Sequence, residues 1–441
     1  MHTITSEEMA VADANSEFMG VSRLVLMENA GRAVASHVER VLGGLLGRRV
    51  LVLAGPGNNG GDGMAAARHI AVKGGKVTVL LLASPDRIRT AEARANYMSV
   101  RNMRLTVAVE VAETSEELLK HSSLFDESEL IVDAILGTGA KAGLSGVFKT
   151  AVELANNSKA FRLSVDIPTG MEPDTGEGGI SFNADLTIAL HKPKPVHAKL
   201  EGKTVVEEIG MPSEAEVVAG PGQLMLMIRK LGRERIYSGR LAYVFGTAGP
   251  DQRVRTFLNT LKGVTTFCDL NGLVENPELR YAVAASRAVL LANDVSPANI
   301  RPFLPRSQPV VVNNLATSGV NPVYVLWSDK PLTGKLFQEY QTIVKDVEEL
   351  CRKLAAPVYI VGETDTISNG LRTYLNWLGR SVKAPYFGYV SAAVAWFLGA
   401  GADPLLAMAS TSHLMRNVDP PLLENPSELA EYIHGAIDQL V

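Results

Sequence analysis

Three short turns hold the residues of this chain whose chemistry stands out. The first, GPGNNGGDG from Gly55 to Gly63, sets two amides and one carboxylate among five glycines. The second turn runs from Asp133 to Gly139, and the third runs from Asp166 to Gly170. Carboxylates can donate and accept protons, and amide, carboxylate and hydroxyl oxygens suit hard cations. The three turns are therefore candidates for acid–base chemistry or ligand binding.

The elements that would position these turns are short apolar runs, typical of buried parallel strands, at residues 50–54, 129–136 and 162–166. The Ala-rich segment from Met64 onward predicts a helix after the first turn. The carboxyl ends of parallel strands meet at one edge of an open α/β sheet, so we expect the turns to cluster there. A structural alternative for the first turn is a tight bend that needs positive φ at several glycines.

Asp133 lies among apolar neighbours in its predicted strand. A buried carboxylate is costly unless it is paired, hydrogen-bonded or bound to a cation. This residue is therefore a second reason to expect a site at this edge of the sheet.

The flanking segments are less specific. Residues 16–42 have apolar positions at helical spacing and predict a helix against the sheet. A predicted strand at 76–82 runs into residues 83–86, where the ribose-binding acid of a typical dinucleotide fold is doubtful. The basic stretch 191–195 contains lysines that either face phosphates or lie in a solvated loop.

Composition excludes several classes of protein. The chain has 441 residues, of which 46% are hydrophobic and 20% charged, so we expect two or three globular domains. A net charge of −4 gives no basic footprint for nucleic acid, and no apolar run reaches the ~20 residues of a membrane span. The N-terminus is polar and acidic, unlike a signal peptide, and two cysteines make no metal or disulfide framework. We expect a cytoplasmic enzyme or binding protein.

The second half predicts another α/β domain after a connection at about 212–239. Predicted strands lie at 241–245, 288–292, 309–312 and 358–361, and predicted helices at 338–354, 390–398 and 404–415. Their alternation favours a second parallel layer.

The motifs of the first half resemble the NAD(P)H-hydrate epimerase family, whose domain is called YjeF N-terminal-like. The matching stretches are 26–31 (LMENAG), 55–63 (GPGNNGGDG), 132–139 (VDAILGTG) and 165–170 (VDIPTG). The resemblance implies a Rossmann-like, three-layer α/β domain over residues 1–215. It also implies interconversion of the R and S epimers of NADHX and NADPHX, the hydrated forms of NADH and NADPH.

The resemblance implies roles for individual residues. The substrate would be lined by Asn58, Asn59, Gly60, Gly61, Asp62, Gly137, Thr138, Gly139, Ala140, Lys141, Ala142, Gly143 and Asp166. A potassium ion would be held by Asn59, Asp133 and Thr169, whose oxygens suit a hard monovalent cation. Epimerisation needs a group that acts as acid and then as base, for which Asp166 is the first candidate and Asp62 the second.

The second half, residues 216–441, is similar to the ribokinase-like, ADP- or ATP-dependent dehydratase that is often fused to this epimerase, but its motifs are eroded. Tyr389 stands where a catalytic aspartate is expected, in 386–389 (YFGY). A Lys-Gly pair is replaced at 361–362 (VG), and another motif at 333–337.

Three interpretations follow. The first is an epimerase with a degenerate second domain, the second a bifunctional repair enzyme, and the third a non-catalytic nucleotide-binding scaffold. We expect a homo-oligomer. The preference between NADHX and NADPHX stays open.

Overall fold

The computed structural model describes residues 3–139, 143–200, 202–315, 320–329 and 336–440. The chain divides into two compact units, residues 1–212 (unit 1) and 213–441 (unit 2). The division falls after Pro212, whereas the sequence placed it after residue 215.

The sheet of unit 1 is parallel throughout the described residues. Its strands are β1 (Arg49–Ala54), β2 (Lys76–Leu81), β3 (Val107–Val111), β4 (Leu130–Ala134), β5 (Phe161–Val165), β6 (Leu186–Leu190) and β7 (Thr204–Glu207). Their order is β3-β2-β1-β4-β5-β6-β7, and each neighbouring pair is parallel. This order changes direction between β1 and β4, as in doubly wound Rossmann sheets. The predicted Rossmann-like arrangement is therefore confirmed.

Helices cover both faces of this sheet. They are α1 (Ser6–Phe18), α2 (Arg23–Leu42), α3 (Asn58–Val72), α4 (Ala91–Asn102), α5 (Ser115–Leu119), α6 (Ser123–Glu127) and α7 (Gly146–Asn157). Leu51 and Leu53 of β1 are buried with Val152 of α7, whereas Val52 faces Gly63 of α3. Side chains alternate across a strand, so one apolar run supplies both interfaces of a three-layer unit.

Two predicted helix boundaries in unit 1 are wrong. Residues 16–42 form two helices rather than one, because Gly20 adopts a φ of +96° and Ser22 then caps α2 through its side chain. Helix α3 begins at Asn58, not at Met64, so most of the glycine-rich stretch lies inside its first turns. Glycines are poor helix formers, and here packing overrides that propensity.

Unit 2 is a second α/β unit. Its strands are β8 (Arg240–Phe245), β9 (Val264–Asp269), β10 (Ala288–Leu291), β11 (Pro309–Val312), β12 (Asn321–Trp327), β13 (Val358–Val361), β14 (Asp365–Ser368) and β15 (Thr373–Asn376). In the part of unit 2 that the structure describes, the order is β15-β14-β13-β12-β11-β10-β8-β9. The strands from β8 to β13 pair in parallel, which confirms the predicted parallel core, and β13-β14-β15 pair antiparallel.

The helices of unit 2 pack around this sheet. They are α8 (Pro221–Leu231), α9 (Arg233–Tyr237), α10 (Gln252–Thr260), α11 (Leu270–Glu275), α12 (Pro277–Ala284), α13 (Pro297–Ile300), α14 (Leu336–Leu354), α15 (Phe387–Gly399), α16 (Pro404–Arg416), α17 (Pro420–Glu424) and α18 (Pro426–Asp438). The predicted connection at 212–239 is wrong in part, because α8 lies within it and packs against α16 with Leu224 and Met227 buried. In the described residues, no helix is both long enough and apolar enough to span a membrane.

Candidate active site

The glycine-rich stretch joins the end of β1 to α3 through close backbone contacts. None of its five glycines has a positive φ, so the tight-bend interpretation is wrong. A Cβ on Gly55 would lie 1.9 Å from the Ile135 carbonyl oxygen, and one on Gly60 would lie 1.9 Å from the Gly55 carbonyl oxygen. These positions require glycine because other backbone segments occupy the space of a side chain.

The three predicted turns meet at one cavity of about 370 Å³ at the carboxyl edge of the sheet. Its lining includes Asp13, Arg23, Asn58, Asn59, Asp62, Arg89, Thr90, Gly137, Thr138, Gly139, Asp166 and Lys194. The prediction that the turns cluster is therefore confirmed. The cavity lies at the β1/β4 switch point, where doubly wound sheets bind ligands.

Asp166 lies directly after β5 in the left-handed region, with a φ of 63°. Its Oδ1 accepts hydrogen bonds from Lys194 Nζ at 2.6 Å and from the Leu190 amide at 3.2 Å. Its carbonyl oxygen lies 2.7 Å from His197 Nε2. Aspartate tolerates the left-handed region better than most residues, and three contacts hold this one in place.

Lys194 is 1% exposed, so the solvated-loop interpretation is wrong for this residue. Besides the Asp166 carboxylate, its Nζ donates to the Leu190 carbonyl at 2.8 Å. The Lys194 amide donates to His197 Nδ1 at 2.7 Å, so His197 carries its proton on Nε2 and donates it to the Asp166 carbonyl. Burial lowers the pKa of His197, which keeps the ring neutral. A buried ammonium and a neutral imidazole thus fix Asp166 from two sides.

Two further carboxyls line the same cavity. Burial raises the pKa of Asp62 well above its usual range, and the negative charges of Asp166 and Asp13 add to the effect. Burial also raises the pKa of Asp13 to about 6, against the attraction of Arg23 and Lys194. Neighbouring carboxyls disfavour one another's ionised forms, so the raised pKa values favour protonated Asp62 and Asp13, while Lys194 forms an ion pair with Asp166.

Sequence reasoning missed Asp13. It lies on α1, whose start is fixed to unit 1 by two hydrogen bonds: Ile4 N–H donates to the Pro193 carbonyl and Ser6 N–H to Asp174 Oδ1, each at 2.9 Å. Thr5 caps the helix through a reciprocal bond with Glu8. The motif Thr5–Glu8 could have located the helix, but nothing in the sequence places Asp13 beside Asp62.

Asp133 is fully buried at the end of β4, and hydrogen bonds surround it. Its Oδ1 accepts from Thr169 Oγ1 at 2.6 Å and from the Ile135 amide at 3.3 Å. Its Oδ2 accepts from the Thr169 amide at 2.8 Å and from Ser164 Oγ at 3.1 Å. Burial still raises the pKa of Asp133 to about 6, so a nearby cation would favour its ionised form.

The donor types of Asn59, Asp133 and Thr169, an amide, a carboxylate and a hydroxyl, are those that a hard monovalent cation prefers. Asn59 is 8% exposed, and its Nδ2 has no hydrogen-bond partner in the structure. Rotating this amide would turn an oxygen toward the position of Nδ2, because the two ends are related by a flip. The described residues contain no group of three or more His, Cys, Asp or Glu able to hold a metal. An amide, a hydroxyl and one carboxylate suit potassium better than a transition metal.

The remaining predicted site residues fall into three groups. Gly137, Thr138 and Gly139 line the cavity. Gly60 and Gly61 are buried in α3, and Gly143 has a φ of +95°. These three residues do not line the cavity. Ala140, Lys141 and Ala142 lie outside the described residues.

Unit 2 has a cavity of its own, of about 360 Å³, which Asp251, Asn293, Asp294, Asn313 and Ser391 help to line. Tyr389 does not line it. The Tyr389 ring is 1% exposed and packs against Phe257 with centroids 5.3 Å apart. Tyr386 bonds to Glu424, and neither tyrosine lines the cavity. Gly362 N–H donates to Asp365, and 333–335 lie outside the described residues.

Taken together, the parallel sheet, the cavity at its switch point and the carboxyl–lysine cluster define a Rossmann-like α/β protein with acid–base groups at its ligand edge. Comparison with known proteins gives the family. Residues 23–196 match the model described as YjeF-related protein N-terminus. The chain is 32% identical over 369 residues to the bifunctional NAD(P)H-hydrate repair enzyme of Archaeoglobus fulgidus, covering 81% of this chain and 75% of that protein. The chain belongs to the NAD(P)H-hydrate repair enzyme family.

Two other relatives match part of this chain. The bifunctional NAD(P)H-hydrate repair enzyme of Hyperthermus butylicus is 42% identical over 250 residues, which cover 55% of this chain and 45% of that protein. The NAD(P)H-hydrate epimerase of Nitrosopumilus maritimus is 34% identical over 217 residues, which cover 48% of this chain and 97% of that protein. The chain spans about half the length of several bifunctional relatives that it matches.

Proposed function

We propose that unit 1 interconverts the R and S epimers of NADHX and NADPHX. One observation carries the proposal: two carboxyls line a cavity at the switch point of a Rossmann-like sheet, Asp62, whose pKa is raised by burial, and Asp166, which is paired with Lys194. Pairs of carboxyls whose environments separate their protonation are suited to acid–base catalysis. Family membership supplies the substrate class, because relatives are named for hydrated nicotinamide nucleotides.

The C6 hydroxyl of the substrate sits on a carbon bonded to the ring nitrogen. Asp62 donates its proton to that hydroxyl, the C–O bond breaks, water leaves, and the nitrogen lone pair stabilises the resulting cation. Water then adds to the opposite face of C6, and Asp166 accepts the proton that this water loses. The two carboxyls exchange protonation over one turnover, and passage of the proton back through solvent resets them. Lys194 Nζ donates a hydrogen bond to the Asp166 carboxylate and holds it in position for that step.

A potassium ion would be held by Asn59, Asp133 and Thr169. When bound, it would place a positive charge near the anionic part of the nucleotide and neutralise Asp133. The protein's own contribution at this place is structural, since Thr169 links Asp133 to the Leu136 amide, which donates to Thr169 Oγ1 at 3.1 Å. That link joins the ends of β4 and β5, whose turns line the cavity.

Unit 2 is proposed to lack dehydratase activity. Dehydration driven by ADP or ATP needs a phosphate cradle and a base in one place. The residue at the expected base position, Tyr389, is buried in the core, and burial raises its pKa to about 12. Among the described residues its hydroxyl has no hydrogen-bond partner. The alternative is a bifunctional enzyme that uses other groups of the unit 2 cavity, as the names of the relatives suggest.

The test is direct. Purified full-length protein is mixed with one NADHX or NADPHX epimer, and NMR follows the appearance of the other against a no-enzyme sample. Interconversion well above that background supports the proposal, and a rate equal to background contradicts it. A homo-oligomer and a cytoplasmic location stay predictions.

A further inference from the structure

One cation that lines the unit 1 cavity is not committed to a protein partner. Lys194 binds the Asp166 carboxylate, and Arg23 forms an ion pair with Glu17 at 3.3 Å. The side chain of Arg89 is exposed, and in the described part of the chain its guanidinium makes no ion pair or hydrogen bond with the protein. A guanidinium presents a planar fork of N–H donors that matches phosphate oxygens.

The segment that carries Arg89 is held against the glycine-rich stretch. The Arg89 amide donates to the Pro56 carbonyl at 2.9 Å, and Thr90 Oγ1 lies 2.6 Å from Asn58 Oδ1. From the other side, Arg94 Nη2 donates to the Ile88 carbonyl at 2.8 Å. The backbone of Arg89 is therefore fixed at the cavity while its side chain stays free to bind a ligand.

The place of Arg89 in the fold indicates which phosphate it would bind. It lies in the connection from β2 to α4, at the carboxyl edge of the strand next to β1. In Rossmann-like sheets this region recognises the ribose 2′ position, through an acid for a hydroxyl or an arginine for a phosphate. The only acid of the connection, Asp86, is exposed and does not line the cavity. The connection thus places an arginine at the cavity, and its one acid does not line the cavity.

We propose that Arg89 binds the 2′-phosphate of NADPHX and gives unit 1 a preference for NADPHX over NADHX. The proposal rests on the proposed function for its substrate class. The chemistry required is a phosphate monoester dianion on the ribose, and the other phosphate source on the same molecule is the pyrophosphate that both substrates share.

The experiment compares kcat/KM for the two hydrates in wild-type protein, in Arg89→Ala and in the matched control Arg87→Ala. Arg87 is an exposed arginine in the same connection that does not line the cavity. We expect Arg89→Ala to lower kcat/KM for NADPHX by roughly 10- to 100-fold, the range for a lost charged hydrogen bond, with NADHX little changed. An equal loss for both hydrates would place Arg89 on the pyrophosphate and overturn the assignment, as would no loss.

A binding measurement separates this proposal from the proposed function. Calorimetry at one fixed salt concentration compares adenosine 2′,5′-bisphosphate with 5′-AMP. Wild-type protein should bind the bisphosphate more tightly, Arg89→Ala should lose most of that difference, and Arg87→Ala should keep it. Equal binding of the two nucleotides by wild-type protein would contradict the role of Arg89. A wild-type protein with no epimerase activity would overturn the proposed function and leave this comparison intact.

Discussion

Asp166 is the residue on which the proposed chemistry depends most. Asp166→Asn should abolish epimerisation, lowering the rate by about 10²–10⁴-fold, because an amide cannot accept the proton of the returning water. Asparagine also tolerates the left-handed backbone found here, so the fold should survive, at reduced stability because the buried Lys194 loses its charged partner. Stopped activity assays paired with thermal unfolding check both parts. A near-wild-type rate would remove Asp166 from the mechanism, and a large loss of stability would make the variant uninformative about catalysis.

Replacing Asp13 should change the pH dependence of the epimerase activity. Burial raises the pKa of Asp62, and the proposed mechanism uses its protonated form as the acid, so activity should fall when rising pH removes that proton. Asp166, Asp13 and Lys194 are the charged groups that shift the pKa of Asp62, and Asp13→Asn removes one negative charge. The pKa of Asp62 then falls, and the high-pH loss of kcat/KM should begin at lower pH.

The control for that profile is Glu7→Gln, an exposed acid on the same helix that does not line the cavity. Its profile should overlay that of the wild type. An Asp13→Asn enzyme that is slower at every pH, with its high-pH limb unmoved, would mean that Asp13 acts only through packing.

Potassium binding can be tested through Asp133. Thermal unfolding in potassium chloride against choline chloride should show a potassium-dependent rise in Tm for wild-type protein, since a ligand that binds only the folded state stabilises it. Asp133→Ala should lose that rise and bind substrate more weakly. Ser164→Ala removes a hydrogen bond to the same carboxylate but leaves all three proposed cation ligands in place, so it should keep the potassium response. No response in wild-type protein would contradict the cation site.

At the scale of elements, helix α3 depends on glycines for its contact with the sheet. Gly60→Ala should destabilise the protein by about 1–3 kcal/mol, the usual cost of overpacking, even though alanine favours helices by roughly 1 kcal/mol. The reason is the Gly55 carbonyl oxygen 1.9 Å from the new Cβ. Gly57→Ala is the matched control, because a Cβ there has no neighbour within 4 Å. Denaturant unfolding measures the free energy of unfolding of both variants. Equal values would show that α3 shifts to accommodate the methyl group.

The elements that the sequence predicted are those with an apolar pattern. Strands at 309–312 and 358–361 have the predicted limits, because a short apolar run marks both ends of a buried strand. Strands β14 and β15 were missed because their buried residues are polar. Asp365 is fully buried, yet it is bonded to Tyr359, Ser412 and Arg416, so hydrogen bonds replace the apolar signal.

Part of the candidate site could also be predicted from apolar runs in the sequence. Glycine turns after apolar strands predicted the edge at which Asp62, Asp133 and Asp166 lie. The contributions of Asp13 and Lys194 depend on which elements adjoin in space, and neither residue type nor spacing carries that information. The residues around Lys194 have the composition of a surface loop, but Lys194 itself is buried because it pairs with the Asp166 carboxylate.

At the scale of the whole molecule, the prediction to test is that unit 2 has no dehydratase activity. Full-length protein should not dehydrate NADHX with ADP or ATP, because the expected base position is a core tyrosine. The assay follows loss of S-NADHX with each nucleotide, and calorimetry follows nucleotide binding. Nucleotide-dependent loss above background would favour the bifunctional interpretation, and Asp294→Asn, in the unit 2 cavity, would then identify whether that cavity is responsible.

The two hydrogen bonds that fix the start of α1 have a consequence for solvent exchange. The Ile4 and Ser6 amides are bonded to residues of the loops beside Asp166 and Lys194, rather than to their own helix. Their hydrogens can exchange with deuterium only when the start of α1 lifts from those loops. Asp13 on the same helix lines the cavity, so the exchange rates of these two amides measure how often the site opens. The measurement needs neither substrate nor turnover.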